Sequence, residues 1–205
     1  MIMIDDETVQ RPRWAPLGVI LAWGAMACGF ALGVGGAGAH DIVAVGPKDG
    51  VERWLGPDAA EDLGGGARIV IKVDRISVPA TSMMVAEQRL AATGIPVHAH
   101  VWEDEVIYIL SGQGAALVGP DQQEVPVEKG TTLYIPMGSW HGLVNASETE
   151  RMEALFVTTP VKEGGLGDFF RNATVKPGHP PMNLPPEEFV RLLEQYGMIL
   201  PPSEE

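Results

Sequence analysis

Between residues 68 and 160 the chain runs as a series of short segments rich in Val, Ile, Leu and Thr, each closed by a turn signal. The segments are 68–78, 83–91, 97–101, 105–110, 114–118, 124–127, 131–135, 141–145 and 152–159. Ser111-Gly112, Gly119-Pro120-Asp121, Lys129-Gly130 and Met137-Gly138 punctuate them. β-Branched residues suit a pleated surface, and turn residues at this interval leave no room for a helix of consequence between strands. The spacing predicts an all-β antiparallel sandwich or barrel. With 205 residues and no internal repeat, the chain holds one such barrel and not two.

The flanks differ from this middle. Residues 1–39 read as an export signal or membrane anchor: Arg11 and Arg13, an apolar stretch over 14–32, then a run of small residues up to Ala39. Ala37-x-Ala39 fits signal-peptidase cleavage before His40. A retained anchor spanning 14–39 and a lipoprotein acylated at Cys28 are the alternatives. Each puts the remainder outside the cytoplasm, in the periplasm or secreted. Residues 40–67 are expected to be an N-terminal arm packed on the barrel, and 161–205 a Gly/Pro-rich connection and a C-terminal helix. Asn183 is placed to cap that helix, Pro185 and Pro186 to fill its first turn, and Gly197 to stop it. Phe189, Leu192, Leu193 and Tyr196 share one face, read as core packed across the barrel's end.

Charge and cysteine count exclude whole classes of function. The net charge is −13, with 14 Lys+Arg against 27 Asp+Glu, which leaves no broad basic surface for nucleic acid. A single cysteine rules out an internal disulfide and any thiolate-rich metal site. A metal here has to be held by His and carboxylates.

Those residues occur together in His98-Ala99-His100-Val101-Trp102-Glu103-Asp104-Glu105. Residues two apart in a strand face the same way, so His98 and His100 present two imidazoles on one face. Trp102-Glu103-Asp104 makes a turn, and the following strand brings Glu105 back beside them. Glu103 and Asp104 compete with Glu105 as ligands, but strand parity favours Glu105, leaving the other two as solvated turn residues. Downstream, residues 130–145 place His141 just after a turn forced by Pro136 and Gly138.

The two stretches read H-x-H-x4-E-x6-G and G-x5-P-x-G-x2-H-x3-N, and with them the chain resembles the cupin superfamily over about 68–160. The second motif matches at every specified position. The first departs only at its leading glycine, where position 92 is Ala and the nearest glycine is Gly94. The resemblance implies a double-stranded β-helix (jelly-roll) barrel of six to eight strands, with His98, His100, Glu105 and His141 as ligands of one divalent metal ion. Three imidazoles and a carboxylate suit iron, manganese, nickel, copper, cobalt or zinc and leave two octahedral positions open. It further implies pairing into a homodimer through an edge strand, with the arm or terminal helix exchanged or laid over the mouth.

Around that centre, Ile107, Trp140, Leu143 and Phe156 are candidates for an apolar pocket. Glu87 and Tyr108, with Arg89, are polar strand residues that could orient a substrate or move a proton, and we take Glu87 and Tyr108 as candidate catalytic groups. His179 is expected to be exposed. The resemblance to small cupins such as quercetinases points to a dioxygenase acting on a small oxygen-rich compound. A Lewis-acid isomerase or lyase and a non-catalytic binding protein are the alternatives. The paired cysteines of plant germins, another cupin group, are missing.

Overall fold

The computed structural model describes residues 42–55, 67–91, 94–180 and 184–202. The expected signal or anchor segment, most of the arm's second half, Ala92 and the expected cap Asn183 lie outside the described residues. Among the described residues, no helix is long and apolar enough to cross a membrane.

Two antiparallel sheets form the jelly-roll barrel. The six-stranded sheet has the order β1 (Val51–Leu55), β2 (Ala67–Val73), β3 (Met84–Leu90), β10 (Met152–Thr159), β5 (Asp104–Ser111), β8 (Thr132–Ile135). The five-stranded sheet runs β11 (Met198–Ile199), β4 (Ile95–His100), β9 (His141–Asn145), β6 (Gln113–Val118), β7 (Gln123–Glu128). Alternation decides which residues face in: Met84, Ala86 and Leu90 on β3, Ile107 and Ile109 on β5, and Met152, Ala154 and Phe156 on β10 are all buried in one core. Polar residues occupy many of the intervening outer positions.

Several boundaries differ from the sequence reading. The segment 68–78 is not one strand: β2 ends at Val73 because Asp74 accepts hydrogen bonds from the Ser77 backbone N–H and hydroxyl and turns the chain. The arm contributes β1, which pairs with β2 at the sheet's edge. The Gly/Pro-rich connection holds a second helix, α1 (Leu166–Asn172), too short and too Gly-flanked to show in the pattern. Tertiary ion pairs fasten it: Asp168 receives Arg75 at 2.7 Å, and Arg171 pairs with the buried Asp74. The terminal helix α2 (Pro186–Gln195) begins on Pro185 without a side-chain cap and ends before Gly197, whose φ of 71° suits glycine. Its face of Phe189, Leu192, Leu193 and Tyr196 packs on the core, and the chain then adds β11 beside β4.

Candidate metal centre

The site is assembled from strands of both sheets. His98 and His141 are direct cross-strand partners on β4 and β9, and His100 follows on the same face of β4. The Pro136–Gly138 turn that precedes His141 is fastened to the first motif, since Gly138 N–H donates to the His100 carbonyl at 2.7 Å. Glu105 arrives from β5 in the facing sheet. Gly94, with φ of 62°, serves the turn into β4 in place of the glycine missing at position 92. A Cβ there would stand 2.0 Å from the Leu143 carbonyl oxygen.

The ring nitrogens of His98, His100 and His141 lie within 4.8 Å of one another, and together they could hold a metal ion. The Nδ1 atoms of His98 and His141 each lie 2.9 Å from a backbone carbonyl, of Pro96 and Ser139 respectively. A carbonyl only accepts, so each Nδ1 carries the proton, and a neutral ring then turns its Nε2 lone pair inward. His98 Nε2 stands 3.2 Å from His100 Nε2, and Glu105 Oε2 stands 2.9 Å from His141 Nε2 and 3.5 Å from His100 Nε2. Two donors about 2.1 Å from one ion at right angles are about 3 Å apart, so the spacing fits a shared cation.

The electrostatics run the same way. Burial, then the neighbouring His100 and His141, push the His98 imidazole down to about 3, so it is neutral at physiological pH. Burial alone would raise the Glu105 carboxyl, but bonds and charge from His100 and His141 hold it well below the usual carboxylate range. Burial lowers His141, and Glu105 more than offsets this to leave it raised. The three ring nitrogens that could hold a metal thus stand beside an anionic carboxylate, Glu105, and imidazole with carboxylate is a chemistry that divalent ions of borderline softness take.

Beside these groups opens a cavity of about 650 Å³. Ile107, Leu143 and Phe156 line it as expected, but Trp140 does not. Phe169 and Phe170 of α1 and Phe189 and Leu193 of α2 complete its wall, so the helices read as core and connection are also the pocket. Glu87 and Tyr108 need correction as candidate catalytic groups. Both stand at outward positions of their strands, Glu87 beside Lys72 at 3.5 Å and Tyr108 40% exposed, and neither lines the cavity. Gln88, one residue on, faces in and was missed; the alternation Met84, Ala86, Gln88, Leu90 was the signal. Glu103 is likewise not a solvated turn residue. It is 2% exposed, accepts the Leu166 backbone N–H at 3.2 Å, and burial raises its carboxyl. Asp104 pins the Pro136–Gly138 turn by accepting the Met137 N–H at 2.8 Å. His179 is exposed, as expected.

The described residues thus form a jelly-roll barrel with His98, His100 and His141 gathered on two neighbouring strands. Residues 87–158 match the family model described as Cupin domain. Auxin-binding protein 4 of Zea mays is 40% identical over 76 residues, covering 33% of this chain and 37% of that protein. The chain thus spans well under half the length of that relative. Similar solved structures include a predicted oxalate decarboxylase from Thermotoga maritima, at 18% identity and TM-score 0.46, covering 58% of this chain and 100% of that one. Another is an RmlC-like cupin from Shewanella frigidimarina, at 21% identity and TM-score 0.40, covering 50% and 84%.

Proposed function

We propose that this protein is a mononuclear metal-dependent cupin dioxygenase, with His98, His100, Glu105 and His141 holding the metal. The observation that carries the reading is the convergence of backbone-tied imidazoles and an anionic carboxylate on one point at the cavity wall. The bound metal would supply the redox step by which both atoms of dioxygen enter an oxygen-bearing substrate. The chain's own residues position it: the Pro96 and Ser139 carbonyls fix the His98 and His141 rings, and the apolar wall excludes water from the reacting group.

The cavity weighs against the isomerase or lyase alternative. Among its described lining residues, no titratable group stands outside the His–Glu cluster, so a proton carrier of the kind those reactions use is missing from the wall. Chemistry confined to the metal needs none. The test is metal content of the full-length protein by plasma mass spectrometry beside a His98→Ala/His141→Ala variant, followed by oxygen uptake with candidate substrates. Iron, manganese, nickel or copper lost in the variant, with substrate-dependent oxygen uptake, supports the proposal. A metal-free protein that gains none on reconstitution, or turnover without oxygen uptake, overturns it.

We extend the proposal to an exported protein, in the periplasm or secreted, that works as a homodimer. Residues 1–39 support the export, and N-terminal sequencing of the mature protein checks it by finding His40 first. A monomeric mass by light scattering would remove the dimer.

A further inference from the structure

The cavity wall carries one amide that the metal reading does not use. Gln88 is 5% exposed, faces inward from β3 and lines the cavity, and among the described residues its side chain has no hydrogen-bond partner. An amide that reaches a cavity without a protein partner is poised to be satisfied by what enters. Its place is set by register. Gln88 lies on the six-stranded sheet, opposite the three histidines, and through β10 the row of Glu105 runs to Thr158 and Met84. Gln88 is four residues along β3 from that row, about 13 Å of strand rise. Between the two, Ile107, Phe156, Phe169 and Leu143 present hydrocarbon.

Resting on the proposed metal site, we infer that the substrate is a largely apolar monoanion whose oxygen-bearing head meets the metal and whose one further hydrogen-bonding group, set apart along the body, meets Gln88. Three neutral imidazoles and one carboxylate leave a divalent ion with a single net positive charge, which one monoanionic head balances. No Lys or Arg among the described lining residues stands ready to balance a second. A compound bearing many hydroxyls would leave most of them unpaired against the hydrocarbon wall, and each such loss is paid on leaving water. The apolar wall thus narrows the oxygen-rich class expected from sequence to molecules with two polar points.

Binding calorimetry on the full-length protein loaded with zinc, which holds ligands without redox turnover, tests this with octanoate, its mid-chain and terminal hydroxy derivatives, and gluconate. Octanoate binds and gluconate binds at least about tenfold more weakly, and one hydroxy derivative binds about tenfold more tightly than octanoate. In Gln88→Leu that last preference disappears, while octanoate binds no more weakly than to the parent protein. Gln88→Met, of similar length, replaces the leucine variant if it fails to fold. With zinc bound, preference for gluconate, or a hydroxyl preference that survives in the Gln88 variant, overturns the inference and leaves the metal site standing. Failure to bind zinc overturns both.

Discussion

His141 Nε2 and Glu105 Oε2 stand 2.9 Å apart, one from each sheet, while the His141 Nδ1 proton is committed to the Ser139 carbonyl. Two lone pairs at that distance repel unless a cation lies between them. A bound metal would provide it, and in the metal-free protein a second imidazole proton does, in keeping with the raised affinity of His141 for protons. Glu105→Gln keeps the size and removes the charge. Metal affinity is expected to fall more than about 100-fold, read as metal retained after dialysis. Full occupancy in the variant would exclude Glu105 as a ligand.

Outward residues give the opposite expectation. Glu87→Gln and Tyr108→Phe should leave metal content and turnover unchanged, because neither side chain lines the cavity. Glu87 is the exposed partner of its 3.5 Å pair with Lys72, whose ammonium also donates to the Gly46, Pro47 and Asp49 carbonyls, so loss of the Glu87 charge costs at most about 1 kcal/mol and unfolding should shift little. A large drop in turnover with either variant would contradict this placement.

Asp74 joins β2 to α1 through Arg171, and its pH dependence follows from its surroundings. Burial alone would raise this carboxyl, but Arg171 and Ser77 bring it down from 3.8 to about 2. A depressed carboxyl adds stability above its unfolded value and loses it as the pH falls through the folded one. The contribution is on the order of 2 kcal/mol at neutral pH, fading between about pH 4 and pH 2. Urea titrations across that range should show this slope, and Asp74→Asn should flatten it. An unchanged slope in the variant would count against the ion pair.

Gly94→Ala is expected to destabilise the fold by more than about 2 kcal/mol, since the added Cβ meets both a left-handed φ and the Leu143 carbonyl. Thermal unfolding reads the effect. A variant as stable as the parent would show that the turn into β4 relaxes freely.

Much of this molecule was legible before any tertiary structure. The strand runs 141–145 and 152–159 match β9 and β10 end to end, because alternation and flanking turns are local signals. His98, His100 and His141 were legible through spacing, since parity within a strand is enough to put the first two side by side. Glu87 was misplaced by one residue on the same logic: parity fixes which neighbours share a face, and the apolar Met84, Ala86 and Leu90 pull Gln88 inward with them. Glu103 failed differently, because a turn residue is solvated only if no other element covers it, and α1 covers this one.

What the chain determined by itself is therefore the barrel and the donor atoms: side-chain periodicity, turn chemistry and ligand type are properties of neighbouring residues. What only the tertiary structure decided is the chamber around them. Its wall joins Phe156 of β10 to Phe169 of α1 and Phe189 of α2, residues far apart in sequence, and α1 is held by the Asp74–Arg171 and Arg75–Asp168 pairs. A seven-residue helix has too few internal hydrogen bonds to stand alone, so its existence, and the apolar character it gives the cavity, depends on contacts no local pattern encodes.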